Sequence, residues 1–311
     1  MGTRGIARFG LCGWDYEDWR GPLYPESLPP DFRALPLLAR FTQFMEVNVS
    51  HYRILPPGPA ERWVAETPPD FTFLFKAWKG WTHEGAPVRA EELSAFRALL
   101  EPAAREGRLE GILVQLPPHL RQPGEALRLL RDLSGSLAPH SLLAEVRDRA
   151  LCHPDFYSAL EEAGIGFVNV DLPDVRRLPT LTAVNTTPTG CLRLHGRNRA
   201  GWARRSARDV RYDHDYDARE IDTLAETIED LLTRCPRVLV GANNHYRAQA
   251  AAVVARLRTR IEGRPCAVPE RLRRGSPAVA AVTTALPGTA PPDATGELFP
   301  PSVPAVEGSH R

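Results

Sequence analysis

Residues 142–171, LLAEVRDRALCHPDFYSALEEAGIGFVNVD, decide the fold. Leu142–Arg147 and Gly166–Asp171 are short, apolar, β-prone runs, and Asp155–Ala163 between them reads as a helix. Strands with so few polar positions are buried on both faces, as a parallel sheet covered by helices requires. Working outward, the same alternation recurs. Strands are predicted at Ala7–Cys12, Phe44–Val49, Phe71–Lys76, Gly111–Leu116, Gly190–His195 and Arg237–Gly241, and helices at Leu35–Thr42, Pro59–Glu66, Ala90–Glu106, Gly124–Leu133, Ala218–Arg234 and Tyr246–Glu262. Eight strands, nearly all followed by a helix or its remnant, close most simply as a (β/α)8 TIM-type barrel; a doubly wound open sheet is the alternative. The barrel domain is placed at 1–275. Residues 276–311 are rich in proline and alanine, poor in charge and without period, and are expected to be a disordered tail.

Composition narrows the function classes. With 39 basic against 38 acidic residues the net charge is +1, so no global field draws the chain to nucleic acid or membrane, and a charged partner must be met locally. No apolar run approaches the length of a membrane span, and the opening MGTRGIARFGLC lacks a signal-peptide core. The five cysteines are scattered and show no CxxC, which points to a reduced, cytoplasmic chain; Cys12 and Cys191 read as small core residues. Only two of the basic residues are lysines, Lys76 and Lys79 in FLFKAWKG. In a chain so biased to arginine, a surviving lysine is a candidate for work that a guanidinium does badly, such as supplying an amine that can lose its proton.

Polar residues gather at the expected carboxyl ends of the strands, where barrel chemistry resides. Strand two carries Glu46 and Asn48, with Tyr52 just beyond; strand three ends at Lys76, with Trp78, Trp81 and His83 following; strand four ends at Gln115. Glu145 and Arg147 are two apart and share a face, as do Arg193 and His195. Asp171 ends strand six, and Asn243 and Asn244 follow strand eight. After strand seven, Arg197–Arg211 (RNRAGWARRSARDVR) holds six arginines against one aspartate.

At these residues the sequence resembles the DUF72, or YecE-like, family. The resemblance runs from GWDYEDWRGPLYPESLP through EVNVSHYRILPPGPAERWVAETPPDFTFLFKAWKGWTH, VQLPP, LLAEVRDRALCHPDFYSAL and LRLHGRN to GANNHYRAQAAAVVARL, across roughly residues 8–262. It implies a TIM-type barrel and a family without an assigned function. The family pattern carries over at Gly13, Trp14, Glu46, Asn48, Tyr52, Trp63, Lys76 and His83, and again at Gln115, Glu145, Arg147, Arg193, His195, Gly196, Asn243 and Asn244. His51 stands where the family usually has Phe or Leu. Gly241-Ala242 replaces an aromatic pair, which is expected to open space near strand eight.

The residues favour an enzyme, a hydrolase or lyase, acting on an anionic substrate such as a sugar or nucleotide phosphate. In this reading Glu46 and Glu145 form an acid–base pair, Lys76 holds the anion and His83 or His195 moves a proton. Arg147 and Arg193 orient substrate oxygens, and no cofactor is needed. Asn48, Tyr52, Gln115, Asp171, Asn243 and Asn244 complete the expected substrate site. A metal-dependent variant, like the divalent-metal barrels that isomerise sugars or cut nucleic acid, would use Glu46, Glu145, Asp171 and His195 as ligands. A Schiff-base aldolase would use Lys76 as nucleophile. A different class is a module for single-stranded nucleic acid, built on the Arg197–Arg211 loop with Trp78, Trp81 and Trp202 as stacking platforms. Trp14 and Trp19 read as core plugs.

Overall fold

The structure, a computed structural model, describes residues 4–203 and 208–289. Eight parallel strands close into a barrel: β1 (Ile6–Cys12), β2 (Phe44–Val47), β3 (Thr72–Lys76), β4 (Leu109–Gln115), β5 (Leu142–Glu145), β6 (Gly166–Asp171), β7 (Thr189–Leu194) and β8 (Arg237–Ala242), with β8 returning to pair with β1. Around them run α1 (Ala34–Ala39), α2 (Gly58–Ala65), α3 (Ala90–Arg105), α4 (Pro123–Leu137), α5 (Pro154–Glu162), α6 (Ala218–Arg234) and α7 (Gln249–Glu262). The expected closed barrel is therefore the fold. None of these helices is long and apolar enough to cross a membrane.

The helices form for local reasons. Helix α6 opens on a capping box, in which the Asp217 carboxylate accepts from the Glu220 backbone and Glu220 accepts from the Asp217 backbone. Its apolar stripe, Ile221, Leu224, Ile228 and Leu231, is buried on the barrel. Between β6 and β7 no helix forms. The chain from 172 to 188 is instead stapled by the buried Asn169, whose amide donates to the carbonyls of Val184 (2.7 Å) and Cys191 (3.1 Å) and whose oxygen accepts from Thr182 Oγ1 (2.7 Å) and the Val184 backbone (2.8 Å). One asparagine thus satisfies backbone groups that a covering helix would leave to the loop.

Inside the barrel, side chains two apart on each strand share a face, and this builds tiers. An apolar tier comprises Phe44, Leu74, Leu113, Leu143, Cys191 and Leu239. Two residues further along the same strands come Glu46, Lys76, Gln115, Glu145, Arg193 and Gly241. The apolar tier is the floor on which the polar one stands.

Two expectations need correction. Residues 276–289, assigned to the tail by composition, are structured. Ser276 caps a short helix, Pro277–Ala280, with Val279 buried, and β10 (Thr284–Ala285) pairs with β9 (Ala267–Val268). The segment folds because Val279 and Leu286 are buried and a partner strand is available, features that a proline and alanine count does not register. The remaining positions of the expected tail, 290–311, lie outside the described residues. The glycine at 241 also opens no space. A Cβ there would lie 3.3 Å from Cys12 Sγ and 3.6 Å from the Phe44 ring, so Phe44 and Cys12 already fill the volume that a bulkier residue on β8 would take.

Candidate functional site

The polar tier is organised by one guanidinium. Arg193, 1% exposed, donates through Nε and Nη2 to the two oxygens of Glu46 (2.8 and 2.6 Å) and through Nη1 to Glu145. Glu145 also accepts from Arg147 Nε. Both carboxylates are completely buried. Three strands distant in sequence, β2, β5 and β7, thus supply a single charge cluster. Its guanidiniums hold Glu145 well below the usual carboxylate range against the opposing effect of burial. His195 lies beside the cluster, with Nε2 3.5 Å from Glu145 and Nδ1 accepting from Asn243 Nδ2 at 3.0 Å. Burial and the neighbouring Arg147 push its pKa down to about 3, so the imidazole is neutral.

Lys76 stands above this cluster. Its Nζ donates to Gln115 Oε1 (2.9 Å), which also accepts from Arg147 Nη2 (2.9 Å). Burial first, then the nearby Arg193, lowers the lysine to about 8 in spite of Glu46 and Glu145. The contrast between the two lysines is sharp, since Lys79 is solvated and paired with Glu84 at 2.7 Å.

Lys76, Gln115, Arg147 and Asn243 open into a cavity of about 1030 Å³ at the carboxyl ends of the strands. The turn after β1 contributes Gly13, Trp14 and Tyr16; Gly13 has φ +88°, and a Cβ there would meet the Tyr16 hydroxyl at 2.8 Å, so the residue must be glycine. The segments after β2 and β3 add Asn48, His51, Tyr52, Trp63 and His83. The opposite wall is Trp202, Arg211, Tyr212 and His245. Tyr16 stacks on His245 with ring centroids 4.4 Å apart, and Trp14 meets Trp63 edge-on at 5.2 Å. The His51 Nδ1 sits 2.9 Å from the Ala77 carbonyl, which fixes the proton on that nitrogen. Burial and the charge of Lys76 lower the pKa of His83, and the Thr82 hydroxyl engages its Nδ1 at 2.7 Å.

The expected site residues therefore divide. Asn48, Tyr52, Lys76, His83, Gln115, Arg147 and Asn243 line the cavity. Glu46, Glu145, Arg193 and His195 converge as expected but are buried out of its lining, their carboxylate oxygens engaged by guanidinium groups. Asp171 is elsewhere: it accepts from Arg197 (2.7 and 2.9 Å) and from Tyr216 Oη (2.6 Å), and Tyr216 in turn accepts from the Gly196 backbone at 3.0 Å. This clamp ties β6 to the start of the arginine-rich loop. Asn244 is fully buried and donates to the His214 carbonyl. The four residues considered as metal ligands do not make a metal centre, because Arg193 occupies the space between the two glutamates and Asp171 is bound to Arg197. Among the described residues no group of three or more His, Cys, Asp or Glu side chains is placed to hold a metal.

The nucleic-acid platform also changes. Trp81 is buried against Phe96 at a ring distance of 5.3 Å and presents no stacking face. In the loop 197–211, Arg197 is committed to Asp171 and Glu220, positions 204–207 lie outside the described residues, and Arg211 turns toward the cavity. Trp19 is a core plug as expected, but Trp14 lines the mouth. Sequence reasoning passed over Tyr212, took Trp63 only from the family resemblance, Arg211 only as one of the loop arginines and His245 only as one of the polar residues after strand eight. The signal available was their aromatic or cationic character just past strand ends or in the following segments.

A (β/α)8 barrel with a buried charge cluster under an aromatic-walled, cation-lined mouth defines the class. Residues 8–277 match the family described as "Protein of unknown function DUF72", and the chain belongs to it. It is 28% identical over 257 residues to the UPF0759 protein YunF of Bacillus subtilis, covering 78% of this chain and 90% of that protein. Among solved structures it is similar to a DUF72 family protein of Thermotoga maritima, with 30% identity, a TM-score of 0.75 and coverage of 83% of this chain and 99% of the other. A DUF72 family protein of Enterococcus faecalis shares the fold at 23% identity and a TM-score of 0.73, with 83% and 96% covered.

Proposed function

We propose that this barrel is an enzyme, a hydrolase or lyase, acting on an anionic substrate such as a sugar or nucleotide phosphate. The observation that carries the reading is Lys76: the buried lysine of the chain, lowered to about 8 and opening into a cavity beside Arg147. An ammonium poised near neutral pH both attracts an anion and donates a proton within one turnover. His83, kept neutral by burial and by Lys76, is the complementary base. Glu46 and Glu145 then act through other groups: with Arg193 they fix Arg147 and hold charge beneath Lys76, rather than exchanging protons with substrate themselves. The aromatic walls suit a sugar ring or a base.

A panel of phosphorylated sugars and nucleotides, assayed for phosphate release and for new double bonds, tests this. Turnover of at least one member is expected, with loss of about two orders of magnitude or more in Lys76→Met and a smaller loss in His83→Asn. Full activity in Lys76→Met would reject the assignment. Salt-sensitive oligonucleotide binding without turnover would move the protein to the single-stranded nucleic-acid class.

A further inference from the structure

The wall opposite the two lysines holds donors with nothing to donate to. Trp202 is flanked by two guanidinium groups, Arg147 with its Cζ 5.8 Å from the indole centroid and Arg211 at 5.9 Å. Among the described residues, Trp202 Nε1 and Arg211 Nε are both buried and have no hydrogen-bond partner. A buried N–H without an acceptor is costly, and two on adjoining residues at the edge of one cavity mark a place where an acceptor belongs. Arginines held over an aromatic ring keep their N–H edges for an anion.

We propose that Arg147, Trp202 and Arg211 form an anchoring subsite for the phosphoryl group of a phosphomonoester. This deepens the active-site reading above and rests on it: the subsite is where substrate is held, while Lys76 and His83 face the reacting end. Charge selects the class of anion. In the buried cluster, Lys76, Arg147 and Arg193 stand against Glu46 and Glu145, leaving one positive charge, and Arg211 adds a second. A dianionic phosphomonoester matches that surplus, whereas a carboxylate or a phosphodiester supplies one charge. The Arg211 guanidinium, the remaining Nη1 of Arg147 and an indole N–H also match the several acceptor oxygens of a terminal phosphoryl group. The ring of such a substrate would extend toward Trp14 and Trp63, which line the same cavity.

The test is calorimetric binding of methyl phosphate, dimethyl phosphate and acetate to the full chain and to Arg211→Met and Trp202→Phe; the second variant keeps an aromatic face, though a smaller one, and deletes the N–H. Methyl phosphate is expected to bind about tenfold or more tightly than the other two. Its affinity is expected to fall about tenfold or more in Arg211→Met and about threefold in Trp202→Phe. If both variants bind like the parent and only Lys76→Met loses affinity, the anion sits on the lysine; the subsite is then refuted and the active-site reading survives. Equal affinity for methyl and dimethyl phosphate, or no saturable binding by the parent chain, also overturns the proposal. Weakened binding in both variants, from a chain that turns over nothing in the panel above, would keep the anchor and remove the enzyme.

Discussion

The two ends of the barrel are built from the same ingredients and put to different use. At the amino-terminal end, Glu110 accepts from Thr72 Oγ1 (2.7 Å) and Arg237 Nη1 (2.9 Å) and pairs with Arg8 at 3.4 Å. At the carboxyl end, Glu46 and Glu145 share Arg193, with Arg147 and Lys76 above. Each end has one more cation than carboxylate. At the amino-terminal end the surplus reaches water, the Arg237 side chain being 51% exposed. The depression there, about 760 Å³, is lined by Glu110 and Arg234, both already paired. At the carboxyl end the surplus is buried under a cavity. A buried carboxylate–guanidinium cluster therefore says little about function by itself. Positive charge that the protein leaves unneutralised in front of a cavity says much more.

That comparison can be broken by removing a cation from each end. Arg193→Met leaves two buried carboxylates facing one another and is expected to cost about 3–5 kcal/mol in urea denaturation, the largest effect of the series. Glu145→Gln is expected to cost about 1.5–3 kcal/mol at neutral pH, because the guanidiniums lose a charged acceptor. Glu145 is depressed in the folded state, so its contribution is present above the ordinary value of 4.5 and is lost as pH falls below it. Parent and Glu145→Gln curves should therefore converge in acid.

Lys76 runs the other way. Its folded value of about 8 lies under the ordinary 10.5, so the unfolded chain binds more protons between these limits and stability rises with pH across them. Lys76→Met is accordingly expected to be more stable than the parent at pH 7, by about 1–2 kcal/mol, with the gain fading as pH rises from 8 toward 10.5. A lysine that costs stability is one retained for another reason. The smallest effect belongs to Arg237→Met, a half-exposed member of the amino-terminal cluster: within about 1 kcal/mol, with affinity for methyl phosphate unchanged. A loss there as large as at Arg193 would erase the distinction between the ends.

Much of this was legible in the primary structure. The eight strand runs were found because parallel strands buried on both faces are continuously apolar, and the co-facial pairs Glu145–Arg147 and Arg193–His195 followed from the period of two. What stayed hidden was depth. Spacing places Glu46 and Lys76 on the inner face of their strands, but not which of them the cavity reaches. That is decided by barrel register and by Arg193, whose reach across the interior to Glu46 spans 147 residues of sequence. Asp171 looked equivalent to the other strand-end acids until Tyr216 and Arg197, both from the long segment after β7, were seen to bind it. Arg211 could not be told from its neighbours in a run of arginines, because only the folded loop turns it toward Trp202.

The tiers also bear on how the chain finds its closure. A strand slipped by one residue would turn its inward set outward, exchanging the charged group for a neighbour meant to meet a helix. For β5 that error would strand Glu145 among apolar side chains and deprive Arg193 of one of its two carboxylate partners; for β7 it would strip Glu46 of its guanidinium and leave Glu145 to Arg147 alone. Each mistake leaves a bare charge in a dry interior, so misaligned barrels are penalised steeply while the aligned one is not. The Glu46–Arg193–Glu145 bridge thus works as a proofreading device for strand alignment.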